Sequence, residues 1–435
     1  MSDIVGFTID ELNMILKEEE WDQIVVGFSG GKDSTCVVQV LIDCIVKNKI
    51  DIPIKILSSD TLIENPLISE QIKIMHTQIN NIARNYNLDI ETKLIYPKIT
   101  DSYLYNTIVK GYATPLNSRG RWCTRALKVD PMKQYYDNLS VKTLLLTGVR
   151  LDESSSRKRN IENLLEGKNI VEVRKNLFSY PLIKDWSLSD VWDYVQDVTR
   201  SDGYYLNTSS LWELYRDATT DDVCPSSVDM SVGNSQKGCG KSRYGCYLCP
   251  LVKRDTTLEA NIINGHEELV GFLELRDFYI ERCYDPKYRD RVDRRNKVRF
   301  KEVTHNLETN IISFTLLNTR YKGYPDNFHV IEVGSLEEAE HIILENTQLN
   351  ETPIPNCIFD HEELELLFKC GEKYFAVTTG RLSFTFRKSL LNKIIEIEEQ
   401  YSIQFMSSFE KQKIMKDFKQ VETEGDEGYG NLYNL

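Results

Sequence analysis

Four apolar runs rich in β-branched residues, at 24–28, 54–57, 90–95 and 143–148, alternate along the first third of the chain with longer stretches at 34–47, 67–85 and 130–138 that read as helices. Near-continuous apolar strands separated by helices predict a parallel sheet covered on both faces. Ligands on such sheets bind beyond the carboxyl ends of the strands. Past residue 151 the pattern gives a short strand at 178–183. A helix then opens at Ser187, where Ser187 and Asp190 form an N-capping pattern. Residues 201–253 are rich in Gly, Ser, Cys and Asp without a sustained period, which predicts a loop region that something else must hold together. A helix is expected at 261–282. Beyond 302 strand and helix are mixed, closing in a helix at 389–418 and an acidic tail at 422–427 that reads as disordered. Three segments are therefore expected: an α/β domain over 1–200, a cysteine-rich segment with helices and a basic stretch over 201–302, and an α+β module over 303–435.

The most informative local feature follows the first strand. Ser29-Gly30-Gly31-Lys32-Asp33-Ser34-Thr35 turns directly from strand to helix. Two glycines let the backbone present its N–H groups inward at the positive end of the helix, which makes an anion nest. A Walker loop needs Ser or Thr directly after Gly-Lys to hold magnesium, and here Asp33 follows Lys32. The loop resembles the PP-loop of ATP pyrophosphatases, which hold the β,γ-pyrophosphate of ATP while a nucleophile attacks the α-phosphorus. Ser29 to Thr35, Asp60 after the second strand and Gly148 after the fourth are the candidate ATP and Mg2+ contacts.

Composition narrows the setting. The 435 residues, 41% hydrophobic and 27% charged, suit a soluble protein with two or three cores. No apolar run is long enough for a membrane span, the start is acidic where a signal peptide would be basic, and a cytoplasmic location is expected. The net charge of −13 argues against broad attraction to nucleic acid, so a polyanionic partner would have to meet a local basic surface. Residues 282–301, with nine Lys or Arg against three Asp, form one such stretch or else a solvated helix face. Arg150, Arg157, Lys158 and Arg159 form the other.

Ten cysteines in a reducing compartment point away from structural disulfides. Cys224, Cys239, Cys246 and Cys249 are spaced C-x14-C-x6-C-x2-C in the irregular stretch, and Cys224 and Cys249 each precede proline. Four thiolates there suit a metal centre that supplies the missing ordering energy. A [4Fe-4S] cluster is expected, with zinc as the alternative. In Arg119-Gly120-Arg121-Trp122-Cys123-Thr124-Arg125-Ala126-Leu127-Lys128, four cations surround one cysteine and should lower its pKa. Cys123 is a candidate sulfur carrier, a cluster ligand, or a cysteine packed beside Trp122. Arg121, Arg125 and Arg150 are candidates for orienting a phosphate.

Taken together, these motifs resemble the phosphoadenosine phosphosulfate reductase superfamily and, within it, the DndC-like proteins of DNA phosphorothioation. The resemblance covers roughly residues 20–255. It rests on Ser29 to Ser34, Ser59-Asp60-Thr61-Leu62-Ile63-Glu64-Asn65-Pro66, Arg121-Trp122-Cys123-Thr124, Gly148 to Ser154, Asp185 to Trp192, and Cys239-Gly240-Lys241-Ser242-Arg243-Tyr244-Gly245-Cys246-Tyr247-Leu248-Cys249. It implies an adenine nucleotide alpha hydrolase-like fold, ATP-dependent activation of the DNA backbone phosphate, an iron–sulfur cluster and sulfur from a cysteine desulfurase. It also implies partnership with other subunits of a DNA sulfur-modification system. Lys32, Asp33, Arg121, Arg150 and Cys123 would carry the chemistry. The chain lacks both the C-terminal cysteine of thioredoxin-recycled reductases and the Cys-Cys pair of cluster-bearing adenylyl-sulfate reductases, where it has Trp122-Cys123. The alternatives are a tRNA thiolation enzyme, a phosphosulfate or adenylyl-sulfate reductase, and a non-catalytic DNA-binding assembly subunit.

Overall fold

The computed structural model describes residues 3–112, 121–153, 155–165, 167–196, 203–217, 245–252, 254–290, 297–306, 311–321, 329–331, 367–370, 373–377 and 380–424. It divides into two compact units. The first comprises 1–102 and 121–273, the second 103–120 and 274–435. The division interleaves the chain, which the three expected segments did not contain.

In the first unit the strands β1 (Gln23–Gly27), β2 (Ile54–Ser59), β3 (Ile90–Ile95), β4 (Thr143–Thr147), β5 (Val171–Arg174) and β6 (Leu177–Pro181) form one sheet in the order β3-β2-β1-β4-β6-β5. All neighbours are parallel except the β5–β6 pair. This is the expected α/β architecture. The first four residues of β1 and of β4 are buried, which is why both read as unbroken apolar runs. From β1 the chain moves outward through β2 to β3, then returns to the other flank of β1 as β4. The strand order therefore reverses between β1 and β4, which opens a crevice at their carboxyl ends.

Helix α1 (Asp3–Glu18) packs against α2 (Lys32–Asn48). Cys36, Val37, Val38, Val40, Leu41, Ile42, Cys44 and Ile45 of α2 are at most 2% exposed. Each such aliphatic side chain contributes about 1.5–3 kcal/mol on burial, so the start of α2 is anchored by its own length. Helix α3 (Pro66–Tyr86) begins with Asn65 as N-cap and a proline at its first position. The capping box of Ser187 and Asp190 is present and opens the helix Leu188–Val195.

Three expectations are corrected. The stretch 261–282 is two helices, Thr256–Ile263 and Val270–Cys283, because Gly265 turns to φ +106° between them. The stretch 389–418 is likewise two helices, Phe384–Tyr401 and Ser408–Glu424, with Ser402 in the left-handed region as the stop. Within the presumed loop region lies a helix, Ser209–Asp217.

The second unit holds a five-stranded antiparallel sheet. The two C-terminal helices belong to it and grip the insert that follows residue 102. A π turn, Tyr105–Val109, is held by Tyr105 Oη donating to Asp417 at 2.6 Å and by Arg387 Nη1 donating to the carbonyl of Val109 at 3.0 Å. The basic stretch 282–301 is not one solvated helix face, because its described part passes from a helix end through the turn Pro286–Tyr288 into the strand Val298–Asn306. Among the described residues no helix is long and apolar enough to cross a membrane.

Candidate functional site

Helix α2 starts at Lys32 with Gly31 as its N-cap and no side-chain cap. The first N–H groups of a helix have no intrahelical partner, so an uncapped start of this length is an anion site. The loop's own hydroxyls are spent on holding its shape. Ser34 Oγ donates to the carbonyl of Gly31 at 2.9 Å and accepts from the Ser29 N–H at 3.2 Å. Gly30 sits at φ +75°, and a Cβ there would lie 2.6 Å from Ile72 Cγ1, so glycine is required twice over.

Asp33 organises the charge. Its carboxylate accepts from Lys32 Nζ at 2.9 Å on one oxygen and from Arg150 Nε at 2.7 Å on the other. Arg150 is 3% exposed, and its Nη1 also donates to the Trp186 carbonyl at 3.3 Å. The first and fourth strand ends are thereby tied across the crevice. Gly148 makes the tie possible, since a Cβ on it would stand 3.1 Å from the main-chain carbon and oxygen of Asp33. Gly148→Ala should therefore leave the fold intact but displace the loop by tenths of an ångström and weaken pyrophosphate binding about tenfold. Titration calorimetry with inorganic pyrophosphate checks this, and wild-type affinity would refute it.

Two buried hydroxyls beside the loop, Thr35 Oγ1 and Ser59 Oγ, have no hydrogen-bond partner. Unsatisfied buried polar atoms at strand ends are what a polar ligand would satisfy. Ser58, next to Ser59, bonds His76 Nε2 at 2.8 Å. Burial lowers the His76 pKa to about 4. Above pH 6.5 the ring is neutral in both folded and unfolded chains. Between 6.5 and 4 only the unfolded chain takes the proton, so stability is lost as the pH is lowered through that window, by about 3 kcal/mol in total. Urea midpoints from pH 8 to 4 should show a flatter acid limb for His76→Gln than for wild type.

Asp60 closes β2. Its Oδ1 accepts from the Leu62 N–H at 2.8 Å and stitches a turn in which Leu62 adopts φ +65°. Burial, with a smaller push from Glu64, raises its pKa. The same turn receives the cysteines. Glu64 and Cys246 form an antiparallel bridge, and the Tyr247 N–H donates to the Ile63 carbonyl at 3.0 Å. The Cys249 N–H donates to the Cys246 carbonyl at 2.9 Å, so the two thiols share one turn. Cys246 Sγ lies 3.8 Å from Thr61 Oγ1, and burial together with Glu64 pushes its pKa up to about 12.

The four cations expected around Cys123 do not activate it. Burial raises its pKa, and the nearby Cys249 adds to the rise. Arg121 is exposed, Arg125 turns outward to Asp130 at 3.4 Å, and Arg119 lies outside the described residues. Lys128, within the π turn Arg125–Val129, pairs with the nearly buried Glu64 at 2.8 Å. Burial works to lower the Lys128 pKa, but Glu64 and Cys246 outweigh it and hold the ammonium protonated. Sequence reasoning missed this Glu64–Lys128 pair, although Glu64 sits in a quoted motif.

Cys224 and Cys239 lie outside the described residues. Among the described residues no three His, Cys, Asp or Glu side chains form a group able to hold a metal. The donor chemistry nonetheless suits a soft metal. Cys246 and Cys249 share a turn, and Cys123 is close enough to Cys249 for their charges to interact.

The fold and site together define a mostly parallel α/β sheet with a Ser-Gly-Gly-Lys-Asp-Ser loop at the strand-order switch. Residues 23–200 match the family model of the phosphoadenosine phosphosulfate reductase domain. No curated protein matches the chain. Similar solved structures include the phosphoadenylyl-sulfate reductase of Candida auris in a phosphate complex. It is 17% identical, covers 46% of this chain and 89% of its own, and has a TM-score of 0.29. The NH3-dependent NAD synthetase of Campylobacter jejuni is 16% identical, covers 50% and 82%, and has a TM-score of 0.30. The U34-tRNA thiolase NcsA of Methanococcus maripaludis with its [4Fe-4S] cluster is 12% identical, covers 64% and 80%, and has a TM-score of 0.32.

Proposed function

We propose that the chain is an ATP pyrophosphatase that adenylylates a backbone phosphate of DNA so that sulfur can replace one of its oxygens. The observation that carries the ATP half is the uncapped start of α2, flanked by Lys32 and by the Asp33–Arg150 tie. The DNA half rests on the resemblance of the six quoted motifs to DndC-like proteins.

In this reading a nonbridging oxygen of the DNA phosphate attacks the α-phosphorus of ATP and pyrophosphate departs. The persulfide of a cysteine desulfurase partner, reduced by a thiol to sulfide-level sulfur, then supplies the nucleophile that attacks the DNA phosphorus, and AMP leaves with the original oxygen. The N–H groups of residues 30–33 and Lys32 would stabilise charge on the departing pyrophosphate. Arg150 fixes Asp33, while Arg121 and Arg125, both exposed, are available to the DNA backbone. Asp60 would hold Mg2+, which neutralises phosphate charge. Cys246 and Cys249 would hold the cluster with Cys224 and Cys239, or with Cys123 in place of one of these. A bound cluster would supply sulfur handling, electron transfer or ordering of the cysteine segment.

Anaerobically purified protein should release pyrophosphate from ATP and Mg2+, faster with DNA than without. With the desulfurase and cysteine added, nuclease digests of the DNA should contain phosphorothioate-linked dinucleotides. Sulfite from adenylyl sulfate would establish a reductase instead, thiolated tRNA a thiolase, and no pyrophosphate under any condition an assembly subunit.

A further inference from the structure

One side chain over the phosphate loop comes from beyond the matched domain. Tyr215, in the helix Ser209–Asp217, places its hydroxyl 3.2 Å from where a Cβ on Gly31 would stand. Its ring centroid lies 5.7 Å from Lys32 Nζ. The Lys32 ammonium therefore lies between the Asp33 carboxylate and an aromatic face, two interactions that restrict a flexible four-carbon stem.

The tyrosine is itself held firmly. Its ring meets the indole of Trp192 edge-on at 5.2 Å and 87°, and Trp212, one turn earlier on the same helix, meets Trp192 at 5.6 Å and 85°. Trp192 is 3% exposed, and its helix is fixed by the Ser187–Asp190 capping box. A phenolic hydroxyl held by edge-on contact with the buried Trp192, against a glycine at the start of α2, is a preorganised donor.

We propose that Tyr215 is a substrate-positioning residue whose hydroxyl donates a hydrogen bond to a terminal phosphate oxygen of the nucleotide seated over Gly31, while its ring keeps Lys32 beside the same group. This deepens the ATP reading above and rests on it. It also gives glycine at position 31 a reason separate from loop curvature, because any side chain there would occupy the space of the tyrosine hydroxyl.

Binding of inorganic pyrophosphate, ATP and AMP, each with Mg2+, is measured by titration calorimetry on the full chain as wild type and Tyr215→Phe. Phenylalanine keeps the contact with Trp192, and affinities are compared well below the thermal midpoints of both proteins. A hydrogen bond to a charged group predicts about tenfold weaker pyrophosphate and ATP binding with AMP unchanged. In steady state KM for ATP should rise by a similar factor while kcat changes less. Wild-type affinity for pyrophosphate in Tyr215→Phe would overturn the proposal, as would an equal loss for AMP, which would mark a merely structural role. Failure of the wild type to bind either pyrophosphate or ATP would overturn this proposal together with the reading it rests on.

Discussion

Asp33→Asn should slow pyrophosphate release at least about a hundredfold, because this carboxylate, anchored by Arg150, positions the Lys32 ammonium that meets the departing group. Each oxygen of Asp33 accepts from a different cation, Lys32 on one side and Arg150 on the other. An amide retains one acceptor and presents a donor to the second cation, so one of the two contacts must break. Arg150 is nearly buried, and after the loss it would keep only the Trp186 carbonyl and the carboxylate of Asp152 at 3.6 Å. Leaving a buried charge so poorly matched costs about 3 kcal/mol, and the thermal midpoint should fall as well. Asp33→Glu separates the two effects. It restores the charge and much of the stability, yet the longer arm misplaces Lys32 and the rate stays low. Rates for both variants are compared well below their melting points. A wild-type rate for Asp33→Asn would mean that Lys32 and Arg150 do not act through Asp33.

Cys246→Ser should remove bound metal from anaerobically purified protein by at least about tenfold. The thiol is half-buried, and desolvation together with Glu64 suppresses its ordinary ionisation, so a bound metal would be what favours a thiolate there. Lys128 offsets part of that cost, standing beside Cys246 with its charge held by Glu64. Lys128→Gln should accordingly retain less metal than wild type without changing any ligand. Iron, acid-labile sulfide and zinc are assayed together. Iron with sulfide identifies the cluster, zinc without sulfide identifies the structural alternative, and metal-free wild-type protein would remove the metal reading.

What could be read from the chain was local. Strands buried on both faces print unbroken apolar runs, and the tight turn after β1 prints its glycines, so the sheet and the strand-to-helix turn were legible from Val25 to Thr35. Pairings between distant positions were not. Arg150 was visible as an arginine after a strand, but its partner Asp33 lies on another strand's loop. Lys128 was one of four cations until the fold brought it to Glu64. Tyr215 carried no signal beyond an aromatic pair at helical spacing with Trp212, in a stretch whose composition reads as loop. The two overlong helices failed for different reasons. Gly265 is an ordinary breaker, whereas Tyr401-Ser402-Ile403-Gln404 contains neither Gly nor Pro to announce the left-handed turn at Ser402.

The insert gripped by the C-terminal helices sets an order of events during synthesis. Tyr105, Ile108 and Val109 are almost fully enclosed in the finished unit, yet Arg387 and Asp417, which hold their turn, are translated far later. At about 5–20 residues per second, that gap leaves an apolar segment waiting for its partners for some tens of seconds. A chain ended at residue 302 would never supply them. Such a truncation, however natural it looks from the motifs alone, should emerge with an exposed sticky turn and depend on chaperones to stay dispersed.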